Sequence, residues 1–147
     1  MSGEHETLRA WIDGGARGNP GPAGWGVLLE DGRGRAVRRC WGFLDNATNN
    51  VAEYNGLILA LEQALALGAH GLKVHTDSEL MQRQLTGVYK VRQPHLRELF
   101  TKARSLIARL DAFDIEHVRR EQNREADRLA NRAMDERASG VEEGGSP

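Results

Sequence analysis

The chain has 147 residues, of which 39% are hydrophobic and 28% charged, and its formal net charge at pH 7 is −1. This size indicates one globular domain, and no apolar stretch approaches the ~20 residues that a membrane-spanning helix needs. The single cysteine, Cys40, excludes an internal disulfide and a cysteine-based zinc site.

The first third of the chain predicts three antiparallel strands. An apolar run over Leu8–Ile12 predicts a strand that ends at Asp13, followed by a segment rich in glycine and proline that we expect to form a loop. Two more strands are predicted over 23–30 and 36–44. The sequence Asp31-Gly32-Arg33-Gly34 between them is typical of a hairpin turn.

The rest of the chain alternates helices and strands. The patterns predict helices over 51–67, 78–85, 94–110 and 123–138, and strands over 72–77 and 112–118. This order implies an α/β fold with a mixed five-stranded sheet, three antiparallel strands then two parallel ones, and helices on both faces. We expect an N-terminal extension over 1–7, one domain over 8–138 and a disordered tail over 139–147.

Four acidic residues are predicted to meet at one edge of this sheet. Asp13 and Asp77 end two strands that we expect to be neighbours, and ligands collect at the carboxyl ends of such strands. Glu53 and Asp127 each lie on the apolar face of a predicted helix. A carboxylate beside a buried face is costly unless it is paired or bound to a metal ion.

Each acid also has an ordinary structural explanation. Glu53 could form a capping box with Asn50, Asp77 could cap the following helix, and Asp127 could interact with a helix dipole. An aspartate before two glycines, as at Asp13, is also common in turns. A shared site accounts for all four positions at once, whereas the structural explanation requires four separate coincidences.

Positive charge is concentrated in two parts of this nearly neutral chain. Residues 81–110 contain seven lysines and arginines against one acid, Glu98, and residues 33–39 contain four arginines. Such clustering indicates a local site for a polyanion, although a solvated helix face would give the same pattern.

Four segments resemble the motifs of the type 1 ribonuclease H family, in that family's order. They are Asp13-Gly14-Gly15 with Gly18-Asn19-Pro20-Gly21-Pro22, Thr48-Asn49-Asn50-Val51-Ala52-Glu53, Thr76-Asp77-Ser78 and Asn123-Arg124-Glu125-Ala126-Asp127. The resemblance runs from about residue 8 to residue 137. It implies an endoribonuclease that hydrolyses the RNA strand of RNA/DNA hybrids.

The resemblance also implies particular ligands and contacts. Asp13, Glu53, Asp77 and Asp127 would be the catalytic residues and would bind two divalent ions, normally Mg²⁺ with Mn²⁺ as a substitute, for which carboxylate oxygens are suitable ligands. The family positions that hold the substrate backbone and probe the minor groove correspond to Asn19, Thr48, Asn49 and Asn50. Amide and hydroxyl groups can bind a 2′-hydroxyl, but loops and helix caps use the same residue types.

The sequence departs from the family pattern in two places. Many bacterial members have a histidine in the loop before the last acid, whereas here 119–123 contains none. Arg120 is a candidate for product release in its place, a solvated arginine being the alternative, and His117 is predicted to be a structural strand residue. The segment 86–93 is too short for the basic protrusion of some members, so we predict substrate contacts at Lys90 and Arg92.

Three other functional classes can be compared with this one. A proofreading exonuclease of the same superfamily would typically have an Asp-x-Glu first motif, and here Gly15 takes the third position. A non-catalytic hybrid-binding domain remains open, although all four acids are present. The histidines lack ligand spacing, and 14–21 lacks the Lys-Ser/Thr of a phosphate loop, which argues against zinc or nucleotide binding. We expect the protein to be cytoplasmic, because the acidic N-terminus has no apolar signal core. We also expect it to be a monomer.

Overall fold

The computed structural model describes residues 6–144, and its elements follow the predicted order. A 3₁₀ turn over Arg120–Gln122 precedes the last helix. The strands and helices are β1 (Thr7–Ala16), β2 (Gly21–Glu30), β3 (Ala36–Ala47), α1 (Asn49–Ala66), β4 (Gly71–Thr76), α2 (Glu79–Leu85), α3 (Pro94–Ile107), β5 (Ala112–His117), α4 (Arg124–Glu136) and β6 (Gly140–Glu143). Within 6–144, no helix combines the length and the apolar character needed to cross a membrane.

The strands form one mixed sheet in the order β5-β4-β1-β2-β3-β6. The pairs β1–β2 and β2–β3 are antiparallel, while β4 and β5 extend the sheet as parallel neighbours of β1. The predicted α/β class, with three antiparallel strands followed by two parallel ones, is therefore confirmed. Within residues 6–144 the sheet has six strands rather than five.

The sixth strand corrects the prediction of a disordered tail over 139–147. Strand β6 pairs antiparallel with β3, with Val141 opposite Cys40, and Glu143 accepts a bond of 3.0 Å from the Arg38 side chain. This pairing covers main-chain groups that β3 would otherwise present at the sheet edge. Residues 145–147 lie outside the described residues, as do residues 1–5 of the predicted N-terminal extension, and Thr7 begins β1.

Helices cover both faces of the sheet, as predicted. A Cβ atom at Gly14 of β1 would lie 2.6 Å from main-chain atoms of α1, and one at Gly26 of β2 would lie 2.3 Å from a main-chain oxygen of α4. Gly14 pairs with Trp25, the neighbour of Gly26, and successive strand residues point to opposite faces. Helices α1 and α4 therefore pack against opposite faces.

The first strand is longer than the sequence predicts. Residues Gly14–Ala16, which we expect from the sequence to lie in a loop, continue the antiparallel pairing of β1 with β2. Gly14 is required there because the main chain of Ala52 and Glu53 passes directly over it. The loop prediction is wrong for these three residues because close approach of a helix, rather than a turn, explains the glycine.

Candidate active site

The four acids predicted from the sequence line one cavity of about 400 Å³. Asp13 comes from β1, Asp77 directly follows β4, Glu53 lies near the start of α1, and Asp127 is in the first turn of α4. Two strands and two helices on opposite faces of the sheet therefore each contribute one carboxylate.

The sheet register explains why the two strand residues are neighbours. The parallel pairing of β1 with β4 ends at Ile12 and Thr76, and Asp13 and Asp77 are the next residues on each strand. Strand β1 then continues along β2 alone. The start of α4 is fixed at the same point, because the Asn123 side-chain amide donates to the Ile12 carbonyl at 2.8 Å.

Burial and mutual repulsion change the acidity of two of these carboxyls. The pKa of Asp13 is raised to about 8, first by burial and then by the negative charge of Asp77 and by contact with Asp127, against a small opposing effect of the Gly14 main chain. Burial raises the pKa of Glu53 to about 7, although a hydrogen bond from Ser78 acts in the opposite direction. Both shifts mean that the native, metal-free site retains protons that free carboxyls would lose.

This donor set fits divalent cations. Carboxylate oxygens are hard ligands, and a bound cation would relieve the repulsion that raises the Asp13 pKa. Among residues 6–144, no group of three or more acidic, histidine or cysteine side chains is gathered tightly enough to hold a metal ion by itself. An open arrangement suits Mg²⁺, which usually binds through few carboxylates and completes its shell with water and substrate phosphates.

Helix capping does not account for Glu53 or Asp77. The N-cap of α1 is Thr48, not Asn50, and its hydroxyl oxygen accepts a main-chain N–H at 3.2 Å. The N-cap of α2 is Ser78, whose hydroxyl oxygen accepts a main-chain N–H at 3.1 Å. The capping explanations given above for these two acids are therefore wrong.

Two of the predicted substrate residues hold each other in place beside the cavity. The Asn49 side-chain oxygen accepts the Ala16 N–H at 2.7 Å, and the Asn49 N–H donates to the Asn19 side-chain oxygen at 3.0 Å. Each of the two side-chain oxygens accepts a main-chain N–H, which distinguishes it from the nitrogen of the same amide. The NH₂ groups of Asn19 and Asn49 therefore remain available to donate hydrogen bonds toward solvent. Asn49 lines the acidic cavity, whereas Asn19, Thr48 and Asn50 do not.

The two basic residues predicted to contact substrate, Lys90 and Arg92, are not part of the acidic cavity. Lys90 and Arg92 are exposed in the connection between α2 and α3 and do not line it. Arg120 does line it, with its Nε atom 3.9 Å from an Asp77 oxygen and a side chain that is 86% exposed. His117 ends β5 with an exposed side chain beside a smaller cavity of about 340 Å³ that Asp77 also lines, so it is not a packed strand residue.

Sequence reasoning gave no site role to Arg17, Asn131 or Met134, which line the acidic cavity. Asn131 and Met134 follow Asp127 by four and seven positions, which is the spacing of one helix face. Arg17 is the only charged residue between positions 14 and 29. The spacing on the helix and the isolated charge of Arg17 can both be seen in the sequence. Neither indicates a role in the site until the β1–β2 connection and α4 are known to face each other.

Comparisons with known proteins agree with this architecture. A family model described as "Reverse transcriptase-like" matches residues 12–133. Ribonuclease HI of Halobacterium salinarum is 43% identical over 129 residues, or 88% of this chain. Ribonuclease H of Methylococcus capsulatus is 36% identical over 152 residues, with 92% of this chain and 94% of the relative covered. The structure of LC11-RNase H1 in complex with RNA/DNA hybrid superimposes with a TM-score of 0.84 at 41% identity, covering 88% of this chain and 98% of that one.

Several of the relatives are longer than this chain. The chain spans 65% of the Halobacterium protein and 34% of the Mycobacterium tuberculosis protein named as bifunctional, to which it is 44% identical over 124 residues. The similarity therefore concerns one domain of those proteins.

Proposed function

Because this chain belongs to the type 1 ribonuclease H family, we propose that it is an endoribonuclease that hydrolyses the RNA strand of RNA/DNA hybrids. The observation that supports this most directly is the meeting of Asp13, Glu53, Asp77 and Asp127 in one open cavity. The hybrid found with the LC11 relative supports the choice of substrate.

Asp13, Glu53, Asp77 and Asp127 would hold two divalent ions, which we propose to be Mg²⁺, with Mn²⁺ as a substitute. When bound, such a pair supplies an activated water and stabilises the charge that develops on the leaving oxygen. The chain itself fixes the positions of these carboxylates. Asn123 holds the start of α4 against β1, and so keeps Asp127 near Asp13.

Asn19 and Asn49 would bind the backbone of the hybrid through their free NH₂ groups. Both side chains are fixed in advance by main-chain hydrogen bonds, so little side-chain freedom is lost when substrate binds. The Thr48 hydroxyl can donate to a 2′-hydroxyl or phosphate oxygen while its oxygen caps α1. Asn50, Lys90 and Arg92 would add contacts outside the cavity.

Arg120 would interact with the product phosphate. Its guanidinium is close to Asp77 but exposed to solvent, so it can contact an anion in the cavity without breaking a buried interaction.

We further propose that the protein acts as a monomer in the cytoplasm and has no membrane partner. Light scattering in solution should give the mass of one chain. The mass of a dimer would contradict the proposal of a monomer.

The activity can be tested with a hybrid whose RNA strand carries a 5′ label. We expect internal cleavage of the RNA strand with Mg²⁺ and none in EDTA. Asp13→Asn and Asp77→Asn should each reduce cleavage to background while circular dichroism shows a folded protein. Asp45→Asn is the matched control, because Asp45 is 90% exposed and outside the cavity, and it should keep the parent's activity.

Each alternative predicts a different result in this assay. Tight binding of the hybrid without cleavage at any Mg²⁺ or Mn²⁺ concentration would indicate a non-catalytic hybrid-binding domain. Release of single nucleotides from one end would indicate an exonuclease. Residual activity of Asp13→Asn within a few-fold of the parent would contradict the proposed roles of the acids.

A further inference from the structure

The acidic cavity extends beyond the four acids along one face of α4. Asp127, Ala130, Asn131 and Met134 all line it, and their spacing places them on one side of the helix. Four residues of helix correspond to about 6 Å, so Asn131 lies roughly that far along the axis from Asp127. A nucleic-acid strand advances by roughly 3.4 Å per nucleotide, so the extension has room for one or two further nucleotides.

Arg17 lies at this extension and is held there from α4. Its Nη2 atom contacts an Asp135 carboxylate oxygen at 2.7 Å and the Asn131 side-chain oxygen at 3.2 Å. The Asn131 amide in turn donates to the Asp127 carbonyl at 3.0 Å. The guanidinium is therefore connected, through one side chain, to the helical turn that carries an acid of the site.

The other donors of Arg17 have no acceptor among residues 6–144. Both contacts use Nη2, and a guanidinium has further N–H donors on Nε and Nη1. The side chain is 48% exposed, so these donors can reach a ligand in the cavity. Arginine suits a phosphate because its planar fork offers two parallel hydrogen bonds.

We propose that Arg17 binds a phosphate of the cleaved strand one or two nucleotides from the scissile bond, with Asn131 and Asp135 holding its guanidinium. This inference rests on the proposed function. It gives the protein a phosphate contact on the α4 side of the site, opposite Arg120, which lies beside Asp77. The substrate strand is negatively charged, and so are the four carboxylates that line the cavity. A positively charged side chain beside these acids offsets part of the repulsion between them and the strand.

A purely structural role for Arg17 makes different predictions. In that case the ion pair with Asp135 would fasten the β1–β2 connection to α4, and loss of either partner would have the same effect. Exposed ion pairs of this kind contribute little to protein stability. Asp135 is 66% exposed, so its replacement tests the ion pair without disturbing the core.

The first experiment measures steady-state cleavage by the parent, Arg17→Gln and Arg128→Gln. Arg128 is a matched control because it is 55% exposed and paired with Glu125 at 2.6 Å, but does not line the cavity. We expect Arg17→Gln to raise KM about 5- to 10-fold with little change in kcat, since the contact is made in both ground and transition states. Arg128→Gln should leave both constants unchanged, and Arg17→Lys should recover part of the loss.

The second experiment locates the phosphate. The substrate is a DNA duplex with a short RNA tract in one strand, in which single phosphates beside the tract are replaced by uncharged methylphosphonates. In the parent, neutralisation of one such phosphate should raise KM, and in Arg17→Gln the same replacement should have no further effect. This non-additivity identifies a direct contact, because independent perturbations would multiply.

The third measurement uses Asp135→Asn. If Arg17 binds phosphate, Asp135→Asn should leave KM unchanged or lower it, because the asparagine oxygen can still accept the hydrogen bond from Nη2 while a negative charge near the substrate is removed. An Asp135→Asn variant that reproduces the defect of Arg17→Gln would overturn the proposal, as would purely additive methylphosphonate effects or an unchanged KM in Arg17→Gln. Failure of the parent to cleave any unmodified hybrid would instead refute the proposed function, so the two failures are distinguishable.

Discussion

Neutralisation of Asp13 should stabilise the metal-free protein, and the gain should grow with pH. The pKa of Asp13 is about 8 in the native site, against an ordinary value of 3.8, because the carboxyl is buried and faces Asp77 and Asp127. The native state therefore holds a proton that the unfolded chain loses, and the stability of the parent falls as pH rises from about 4 to about 8. Asn at this position does not titrate and avoids that loss.

The size of the effect follows from linkage. One group that titrates only in the unfolded state changes the free energy of unfolding by at most about 1.4 kcal/mol per pH unit. Because Asp13 borders an open cavity and stays partly solvated, we expect about half of this limit, or roughly 1–2 kcal/mol between pH 5 and pH 7. For a domain of this size, that corresponds to a difference in Tm of roughly 3–8 °C.

The assay is urea and thermal unfolding in EDTA at pH 5, 6, 7 and 8 for the parent, Asp13→Asn and Asp45→Asn. The quantity compared is the difference between each variant and the parent, which cancels the titration of groups that do not interact with the replaced residue. This difference should rise with pH for Asp13→Asn and stay flat for Asp45→Asn, whose side chain is 90% exposed. A flat difference for Asp13→Asn would refute the argument that these acids share one buried, repulsive site.

Four further measurements test other parts of the structure. Mg²⁺ at a hundred times its dissociation constant should stabilise the parent by about 2.7 kcal/mol, and should stabilise a variant that lacks one of the four acids less. Gly26→Ala should cost about 1–3 kcal/mol in urea unfolding, because its Cβ would lie 2.3 Å from a main-chain oxygen of α4, whereas Gly15→Ala, with its nearest neighbour at 3.7 Å, should cost less than about 1 kcal/mol. Asn123→Ala should cost about 1–3 kcal/mol, since it removes the buried hydrogen bond that joins the start of α4 to the Ile12 carbonyl of β1, and an unchanged Tm would contradict this. The slope of log K for hybrid binding against log salt should be roughly −3 to −5, and charge reversal at Lys90 and Arg92 should flatten it without affecting single-turnover cleavage at saturating substrate.

Local signals in the sequence were sufficient for the order of elements and for the choice of the four acids. Apolar runs, a hairpin turn and helix boundaries depend on neighbouring residues, so they can be read without knowledge of the fold. The same holds for Asp13 and Asp77, because each ends a strand that the sequence predicts. Their adjacency needed only the assumption that the two strands are parallel neighbours, which the register of β1 and β4 confirms.

Other features depended on contacts between distant parts of the chain. The sequence suggests a loop at Gly14, but the reason for this glycine is the main chain of α1 above it. Strand β6 forms because β3 offers an unpaired edge, which a polar tail sequence does not reveal. The N-caps differ from those suggested by spacing, because Thr48 and Ser78 have the required extended backbone.

The sequence by itself therefore determined the fold class, the family resemblance and the identity of the four carboxylates. Only the tertiary structure decided how acidic Asp13 and Glu53 are, which residues share the cavity and where Arg17 lies. The physical reason is that secondary structure follows from local periodicity, whereas desolvation and charge repulsion depend on which surfaces meet. Arg17 and Asn131 are separated by 114 positions in the chain, and their contact exists only because α4 packs across β2 beside the end of β1.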